Sequence, residues 1–153
     1  MKFNEQVTVE NYIIKFIKDK LGFEYIKPEE FAKLRDLESE YIITPLLEQA
    51  ICALNPTANE SEIKNVIREV RKIDNNEAFL KALRDGINLK NSVTGKKHDY
   101  KLLDFDTPEN NQFVVTNQFY FEGDTENIRP DILIFVNGLP LVDIEAKSPT
   151  ASE

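Results

Sequence analysis

The architecture of the chain depends most on the stretch Arg129-Pro-Asp-Ile-Leu-Ile-Phe-Val-Asn-Gly-Leu-Pro-Leu-Val-Asp-Ile-Glu-Ala-Lys147, which holds two apolar runs separated by a turn. Successive side chains of a β-strand point to opposite faces of a sheet. Alternation therefore places Asp143, Glu145 and Lys147 on one face of the second run, while Asp131 heads the first run. We predict a β-hairpin whose charged residues gather at one end.

The register of this hairpin determines whether Asp131 can reach the other charges. Asp131 shares a face with Glu145 only if the numbers of paired residues add up to an even value, and a two-residue turn at Asn137-Gly138 alone gives an odd value. We therefore predict a three-residue loop or a β-bulge near residues 137–140. The opposite face of the second run is predicted to be buried, with Val142, Ile144 and Ala146.

Two carboxylates and an amine at one point suit the hydrolysis of phosphodiesters. Mg²⁺ takes oxygen ligands and keeps several waters, so one or two carboxylates can hold it beside a phosphate. It then polarises the phosphoryl oxygen and makes a bound water more acidic. We expect Asp131 and Glu145 to bind the metal, and Lys147 to stabilise developing charge or to help deprotonate the attacking water. Asp143 is either a third ligand or a carboxylate at the rim of the site, and alternation favours the rim.

The hairpin closely resembles the PD-(D/E)XK nuclease motif, through Pro130-Asp131 and the triplet Glu145-Ala-Lys147. More narrowly, it resembles the N-terminal nuclease domain of the restriction (R) subunit of type I restriction-modification enzymes. The likeness covers nearly the whole chain, and further segments carry it: Leu54-Asn-Pro56, Gly86-Ile87, Leu103-Asp-Phe-Asp106, Phe113-Val-Val115 and Asn117-Gln-Phe119. The resemblance implies that Asp131 and Glu145 bind Mg²⁺ and that Lys147 completes the catalytic set.

The resemblance also implies weaker site candidates. Glu10, and after it Glu5, is a candidate to approach the metal from the first helix, although the helix dipole alone explains a glutamate in a first turn. Gln118 is a further candidate, for which hydrogen bonding within a strand is the simpler interpretation. Double-stranded DNA is the implied substrate, and modification and specificity subunits are the implied partners.

The family usually carries a Gln and a Tyr on a helix after the Lys, and an ATP-driven motor domain follows in a full R subunit. The chain stops at Glu153, so we expect a C-terminally truncated fragment that forms a single nuclease domain over residues 1–153 and is inactive or weak alone. The sequence has no glycine-rich phosphate loop, and we expect ATP to bind only to the full-length subunit.

Two other functions stay open at this stage. The chain could be the nuclease domain of another PD-(D/E)XK repair or mobile-element enzyme. It could instead be a non-catalytic docking domain whose acidic sheet face binds a protein, because charged residues often simply end an apolar run. Binding of a divalent metal would distinguish a nuclease from a docking domain.

Charge is unevenly distributed along the chain. Residues 1–100 carry 16 basic and 17 acidic groups, whereas residues 101–153 carry three basic and ten acidic groups, and the net charge is −8. An acidic field attracts divalent cations and repels phosphate. We therefore expect the affinity for DNA to come from other domains or subunits.

Composition indicates a folded protein of the cytoplasm. Hydrophobic residues make up 41% of the chain, and the single cysteine, Cys52, cannot form an internal disulfide, which fits a reducing compartment. No apolar stretch approaches the roughly 20 residues that cross a membrane, and the N-terminus does not read as a signal peptide.

The pattern along the chain predicts an α/β fold with a helical N-terminal half and a mixed β-sheet flanked by helices, and the resemblance implies a restriction-endonuclease-like topology. His98 is expected to be exposed in a polar turn. Helix starts are predicted at Thr8, Pro28, Thr44-Pro45, Asn59 and Asn76, with stops at Gly22 and Gly86. Strands are predicted near residues 23–26 and over 87–93, 100–105 and 113–121, besides the two arms of the hairpin.

Overall fold

A computed structural model describes residues 5–147 of the chain, with the side chains of residues 7–147. The helices are α1 (Glu5–Leu21), α2 (Pro28–Phe31), α3 (Thr44–Leu54), α4 (Glu60–Arg71) and α5 (Asn76–Asp85), with 3₁₀ turns at Ala32–Leu34 and Pro108–Asn110. The strands are β1 (Glu24–Tyr25), β2 (Ile87–Lys90), β3 (Lys97–Tyr100), β4 (Phe113–Asn117), β5 (Phe121–Glu122), β6 (Asn127–Ile128), β7 (Ile132–Val136) and β8 (Leu139–Ile144).

A mixed four-stranded sheet forms the centre, in the order β1-β4-β7-β8. Strand β1 runs parallel to β4, while β4–β7 and β7–β8 are antiparallel. The strand pairs β2–β3 and β5–β6 form two separate small sheets. The predicted α/β architecture with a helical N-terminal half and a mixed sheet is confirmed.

Both faces of the sheet are covered, which leaves all five residues of β7 buried. One face packs against α2 and α3 through a cluster that includes Phe31, Leu46 and Phe135. The other face packs against α1 through a cluster that includes Ile14 and Ile132. A third cluster joins α3, α4 and α5 to the β2–β3 hairpin. Apolar burial of this kind is the main term that holds such elements together.

Three helix starts were predicted from capping residues, with mixed outcomes. Asn59 caps α4 in a capping box, because its side chain accepts from Glu62 N while the Glu62 carboxylate accepts from Asn59 N. This confirms the prediction. Thr8 is not a cap, since α1 already includes Glu5. Thr44 is the first residue of α3 rather than its cap, and Ile43 holds the cap position.

Three predicted strands are shorter or displaced in the structure. The strand predicted over 100–105 is found over Lys97–Tyr100, because the buried Asn55 amide bonds both the N–H and the C=O of Lys101 and withdraws them from any ladder. Strand β2 stops at Lys90, where the Asn91 side chain accepts from the two amides that follow in the turn. His98 is exposed as predicted, but it lies in β3 rather than in a turn.

Strand β4 ends at Asn117, four residues before the end predicted for it. Gln118 adopts a φ of 50°, in the left-handed region that does not continue a strand. None of the helices within residues 5–147 has the length and apolar content needed to cross a lipid bilayer.

Candidate active site

The β7–β8 hairpin contains the predicted bulge. A tight two-residue turn pairs Val136 with Leu139, and the register then shifts so that Ile132 pairs with Ile144. One extra residue in β8, Leu141, produces the shift. The bulge is confirmed, one residue beyond the predicted 137–140, and the alternative of a three-residue loop is not found. Extending the shifted register by one residue sets Asp131 opposite Glu145.

The tip of the hairpin is fixed from several sides. Asn137 and Gly138 have φ values of 53° and 78°, the positive pair that a tight hairpin turn requires. The buried Asn137 side chain accepts from Gln112 N at 2.8 Å and donates to the Leu102 carbonyl and the Asn111 side chain at 2.9 Å. These bonds hold the turn in place, so the pairing of Val136 with Leu139 is fixed at this end of the hairpin.

Asp131 lies one residue before β7. Main-chain N–H groups hold it from two sides, one in the segment after β8 and one at the end of β4. Its Oδ2 atom accepts from Ala146 N at 2.8 Å, and its carbonyl accepts from Gln118 N at 2.9 Å. Only 8% of the residue is exposed. The bond from Ala146 keeps the segment after β8, with Glu145 and Lys147, alongside Asp131.

Glu10 brings a second buried carboxylate to the same place. It lies on the stripe of α1 that also carries Ile14 and Ile17, and it is 4% exposed. Gln118 Nε2 donates to Glu10 Oε1 at 3.1 Å and lies 3.4 Å from Asp131 Oδ1. Within residues 5–147, no lysine or arginine forms an ion pair with Glu10. One amide group therefore links the two acids.

The remaining candidates lie at the exposed side of this arrangement. Asp143, Glu145 and Lys147 are exposed, as alternation predicts, whereas Val142 is 43% exposed and was wrongly predicted to be buried. In the part of the chain that the structure describes, no three His, Cys, Asp or Glu side chains form a group that could hold a metal. The Glu5 side chain lies outside the described side chains.

The contacts made by Gln118 were not predicted. Its position between Asn117 and Phe119 suggested a mid-strand residue, and that interpretation is wrong because the strand has ended. The burial of Glu10 had a readable signal, since Glu10, Ile14 and Ile17 recur at the spacing of one helical face. An acid on an apolar stripe is seldom fully buried without a specific partner.

The donor set fits a hard divalent cation. Glu10 and Asp131 supply carboxylate oxygens from a buried position, and the exposed Glu145 lies opposite Asp131 when the register of the hairpin is extended by one residue. Mg²⁺ is usually held by one or two carboxylates together with waters and substrate phosphate. The buried carboxylates can hold such an ion, and the exposed side at Glu145 leaves room for waters and a phosphate.

Comparison with known proteins relates the whole chain to one family. The family model described as Type I restriction enzyme R protein N terminus matches residues 2–153. The chain is 35% identical over 145 residues to the type I restriction enzyme HindI endonuclease subunit of Haemophilus influenzae, an alignment that covers 84% of this chain and 14% of that protein.

A second relative comes from Methanocaldococcus jannaschii. This relative is a candidate type I restriction enzyme MjaIXP endonuclease subunit. It is 32% identical to the chain over 166 aligned residues, which cover 99% of this chain and 16% of that protein. The chain thus spans only about one sixth of the length of the curated relatives it matches.

Proposed function

Because the chain belongs to the family of type I restriction enzyme R protein N-terminal regions, we propose that it is the Mg²⁺-dependent endonuclease domain of such an enzyme, with a PD-(D/E)XK-like fold. Its relatives are named endonuclease subunits, which supports a nuclease role in general. The observation that carries the proposal is the bulge in β8, because in the shifted register the partner of Asp131 is Glu145 rather than Ile144.

In this proposal Asp131 and Glu145 hold the metal, and Glu10 shares the Gln118 side-chain amide with Asp131. Asp131 is already fixed by the Ala146 and Gln118 main-chain N–H groups, so it offers a pre-positioned ligand. Glu145 is exposed and can adjust to the ion. When bound, Mg²⁺ supplies Lewis-acid activation of the phosphodiester and of the attacking water.

Lys147 provides the cationic group of the site. It is exposed and lies two residues after Glu145, on the segment that follows β8. An ammonium on a flexible stem can follow charge as it develops on a phosphate. We assign Lys147 the stabilisation of that charge or the deprotonation of the attacking water.

DNA is the proposed substrate, with modification and specificity subunits as partners that deliver it. The candidate site lies in the acidic part of the chain, where ten acidic groups face three basic ones over residues 101–153. That field favours a divalent cation and opposes phosphate until the cation is present. Metal binding is therefore expected to precede productive contact with DNA at the site.

Calorimetric titration with Mn²⁺ tests the metal site. We expect the wild-type chain to bind one ion, Asp131→Asn to abolish binding, and the exposed Asp124→Asn to leave it unchanged. Asp143→Asn distinguishes a third ligand from a rim carboxylate. No binding by the wild-type chain at millimolar metal would contradict the proposal and favour a docking domain.

Cleavage tests the reaction in the complete enzyme. Asp131→Ala, Glu145→Ala and Lys147→Ala in the full-length subunit, assembled with its partner subunits, are each expected to lower DNA cleavage at least about a hundredfold. The amount of assembled complex serves as the control for folding. Undiminished cutting by all three variants would end the assignment.

A further inference from the structure

The β2–β3 hairpin is a basic element in an acidic protein. Residues 86–101 contain four lysines and a single acidic residue, Asp99, although the whole chain has a net charge of −8. The lysines are Lys90, Lys96, Lys97 and Lys101, and all four are exposed. This concentration of positive charge lies outside the candidate active site and has no role in it.

The pairing of the hairpin places like charges side by side. Lys90 pairs directly with Lys97 across the two strands, and residues that pair directly have side chains on the same face. Asp99 shares this face; its carboxylate accepts the Asn88 side-chain amide at 2.6 Å, and within residues 5–147 it forms no ion pair with either lysine. Like charges directly opposite each other destabilise a hairpin. The arrangement therefore has a cost that an anion between the two lysines would remove.

Most cations within residues 5–147, the hairpin lysines and Lys15, Lys18 and Lys20 of α1 among them, form no ion pair there. Ion pairs within residues 5–147 join Lys64, Arg71, Lys72 and Arg84 to nearby acids, and none involves Lys90, Lys96 or Lys97. Arg68 of α4, also outside any ion pair there, lines one surface depression together with Lys90. Glu62 and Glu69 line the same depression, so the excess of positive charge is confined to the hairpin itself.

The backbone beneath these lysines is rigidly held. Ile87 and Tyr100 belong to the cluster that the hairpin shares with α3 and α4. Asn55 bonds both main-chain groups of Lys101, and the buried Glu62 carboxylate accepts from the N–H and hydroxyl of Ser92 in the hairpin loop. A surface fixed in this way can bind a regular array of charges without first paying to order its backbone.

We infer that the β2–β3 hairpin, with Lys90, Lys96 and Lys97, binds the phosphate backbone of duplex DNA away from the cleavage site; the choice of DNA rests on the proposed function. The hairpin adjoins the turn end of β7–β8, where the Leu102 carbonyl accepts from Asn137, and Asp131 lies at the other end of β7. The five residues of β7 span about 17 Å, which corresponds to about five base-pair steps. The hairpin therefore positions the duplex and takes no part in the chemistry.

Fluorescence anisotropy with a labelled duplex of about 25 base pairs measures the interaction over a range of salt concentrations. The test variant replaces Lys90, Lys96 and Lys97 by glutamine. The matched control replaces Lys15, Lys18 and Lys20 of α1 by glutamine, which removes the same charge from another exposed surface. A third variant replaces the hairpin lysines by arginine and retains the charge. Thermal melting verifies that all variants fold.

We expect the hairpin glutamine variant to bind at least about tenfold more weakly at low salt and to lower the slope of log K against log salt by about 2 to 3. The arginine variant and the α1 control are expected to keep most of the wild-type affinity. Equal weakening by the hairpin and α1 variants would mean that only net charge matters and would overturn the inference. The hairpin lysines precede the acidic residues 101–153, so weak binding by the chain itself is compatible with a larger affinity supplied by other domains or subunits; undetectable binding by the wild-type chain near 50 mM salt would overturn the inference as well.

Mn²⁺ titration of the same proteins separates this inference from the proposed function. The hairpin variant is expected to bind the ion like the wild type, whereas Asp131→Asn is expected to lose the ion and keep its affinity for DNA. Failure of metal binding in the wild type would count against the nuclease site alone. Unchanged DNA affinity in the hairpin variant would count against the hairpin alone.

Discussion

Gln118 combines an unusual backbone conformation with hydrogen bonds to two acidic residues. Its φ of 50° lies in a region that side chains other than glycine adopt at a cost. In that conformation its N–H bonds the Asp131 carbonyl while its side-chain amide donates to Glu10. The strained backbone is thus the geometry that lets one residue reach both acids. Strain of this kind concentrates at functional sites.

Replacing Gln118 by leucine tests its role as a positioning residue. Removing the amide leaves the buried Glu10 without its donor, so we expect the free energy of unfolding in EDTA to fall by about 1 to 3 kcal/mol. Excess Mn²⁺ should recover more stability in this variant than in the wild type, because the ion can take over the link between the carboxylates. Urea denaturation with and without Mn²⁺ measures both effects.

Gln112→Leu is the matched control, since the Gln112 side chain makes only a long 3.5 Å contact with Glu24. It should change stability by no more than about 0.5 kcal/mol. Equal effects of the two substitutions, or no difference between EDTA and Mn²⁺ for Gln118→Leu, would show that Gln118 merely fills space.

Glu62 makes the stability of the fold depend on pH. Hydrogen bonds from Asn59 N, Ser92 N and the Ser92 hydroxyl hold the pKa of this carboxyl below its usual value. A lowered folded-state pKa means that the ionised group stabilises the fold above the unfolded pKa, about 4.3, and that this stability is lost as the pH falls through the folded pKa.

Glu62→Gln is accordingly expected to be less stable than the wild type at neutral pH, with a difference that narrows as the pH falls below the unfolded pKa and through the lowered folded pKa. Urea denaturation at a series of pH values gives the comparison. Glu77→Gln, an exposed acid in the first turn of α5, is the control. A difference for Glu62→Gln that stays constant over this range would contradict the assignment.

The turn of the β7–β8 hairpin leaves no room for a side chain at Gly138. Gly138 has a φ of 78°, and a Cβ atom there would lie 2.5 Å from the Ile43 carbonyl oxygen and 2.7 Å from Leu47 N. Both atoms belong to the backbone at the start of α3, which cannot move aside easily. The turn is therefore packed directly against the N-terminus of that helix.

We expect Gly138→Ala to destabilise the fold by about 3 kcal/mol or more, because overpacking adds to the cost of the left-handed conformation. Gly22→Ala isolates the conformational part, since Gly22 has a φ of 73° and a Cβ atom added there would meet no atom within 4 Å. Its cost should be about 1 kcal/mol. Chemical denaturation compares the two, and equal costs would contradict the packing argument.

Local pattern predicted some elements and missed others for identifiable reasons. The bulge could be inferred because the parity of the charged residues conflicts with an Asn-Gly turn, and both are visible in the sequence. The end of β4 could not, because Gln118 leaves the strand to reach Glu10, which is 108 positions away. The prediction of a strand over 100–105 was wrong for a similar reason, since Asn55, 46 positions away, hydrogen-bonds the Lys101 backbone.

The sequence likewise predicted one part of the candidate site and missed another. Asp131, Glu145 and Lys147 carry their signal in one short stretch, where alternation alone relates them. Glu10 and Gln118 join Asp131 only through tertiary contacts between α1 and the end of β4. Their spacing along the chain contains no such information, so Glu10 was a weak candidate and Gln118 was misplaced within a strand.

For the molecule as a whole, the acidic charge should favour the metal and couple it to folding. A ligand that binds only the folded state stabilises it by about 2.7 kcal/mol when present at 100 times its dissociation constant. We expect Mn²⁺ to raise the melting temperature, and added NaCl to reduce the effect because salt screens the attraction of a chain with a net charge of −8. Differential scanning fluorimetry measures both trends.

Asp131→Asn serves as the reference for that measurement, because it removes one carboxylate of the site and changes the net charge by a single unit. Its melting temperature should respond little to Mn²⁺. The same rise in the variant and the wild type would mean that the ion binds diffusely to the acidic surface rather than at the candidate site.

The extra residue at Leu141 also limits how this hairpin can change length. Between Asp131 and the turn, or between the turn and Glu145, adding two residues preserves the face on which each acid lies, whereas adding one exchanges the faces. A homologous hairpin that gains or loses a single residue must therefore gain or lose a bulge with it. Conservation of parity, rather than of the residue count, is the rule we expect for functional insertions in this part of the chain.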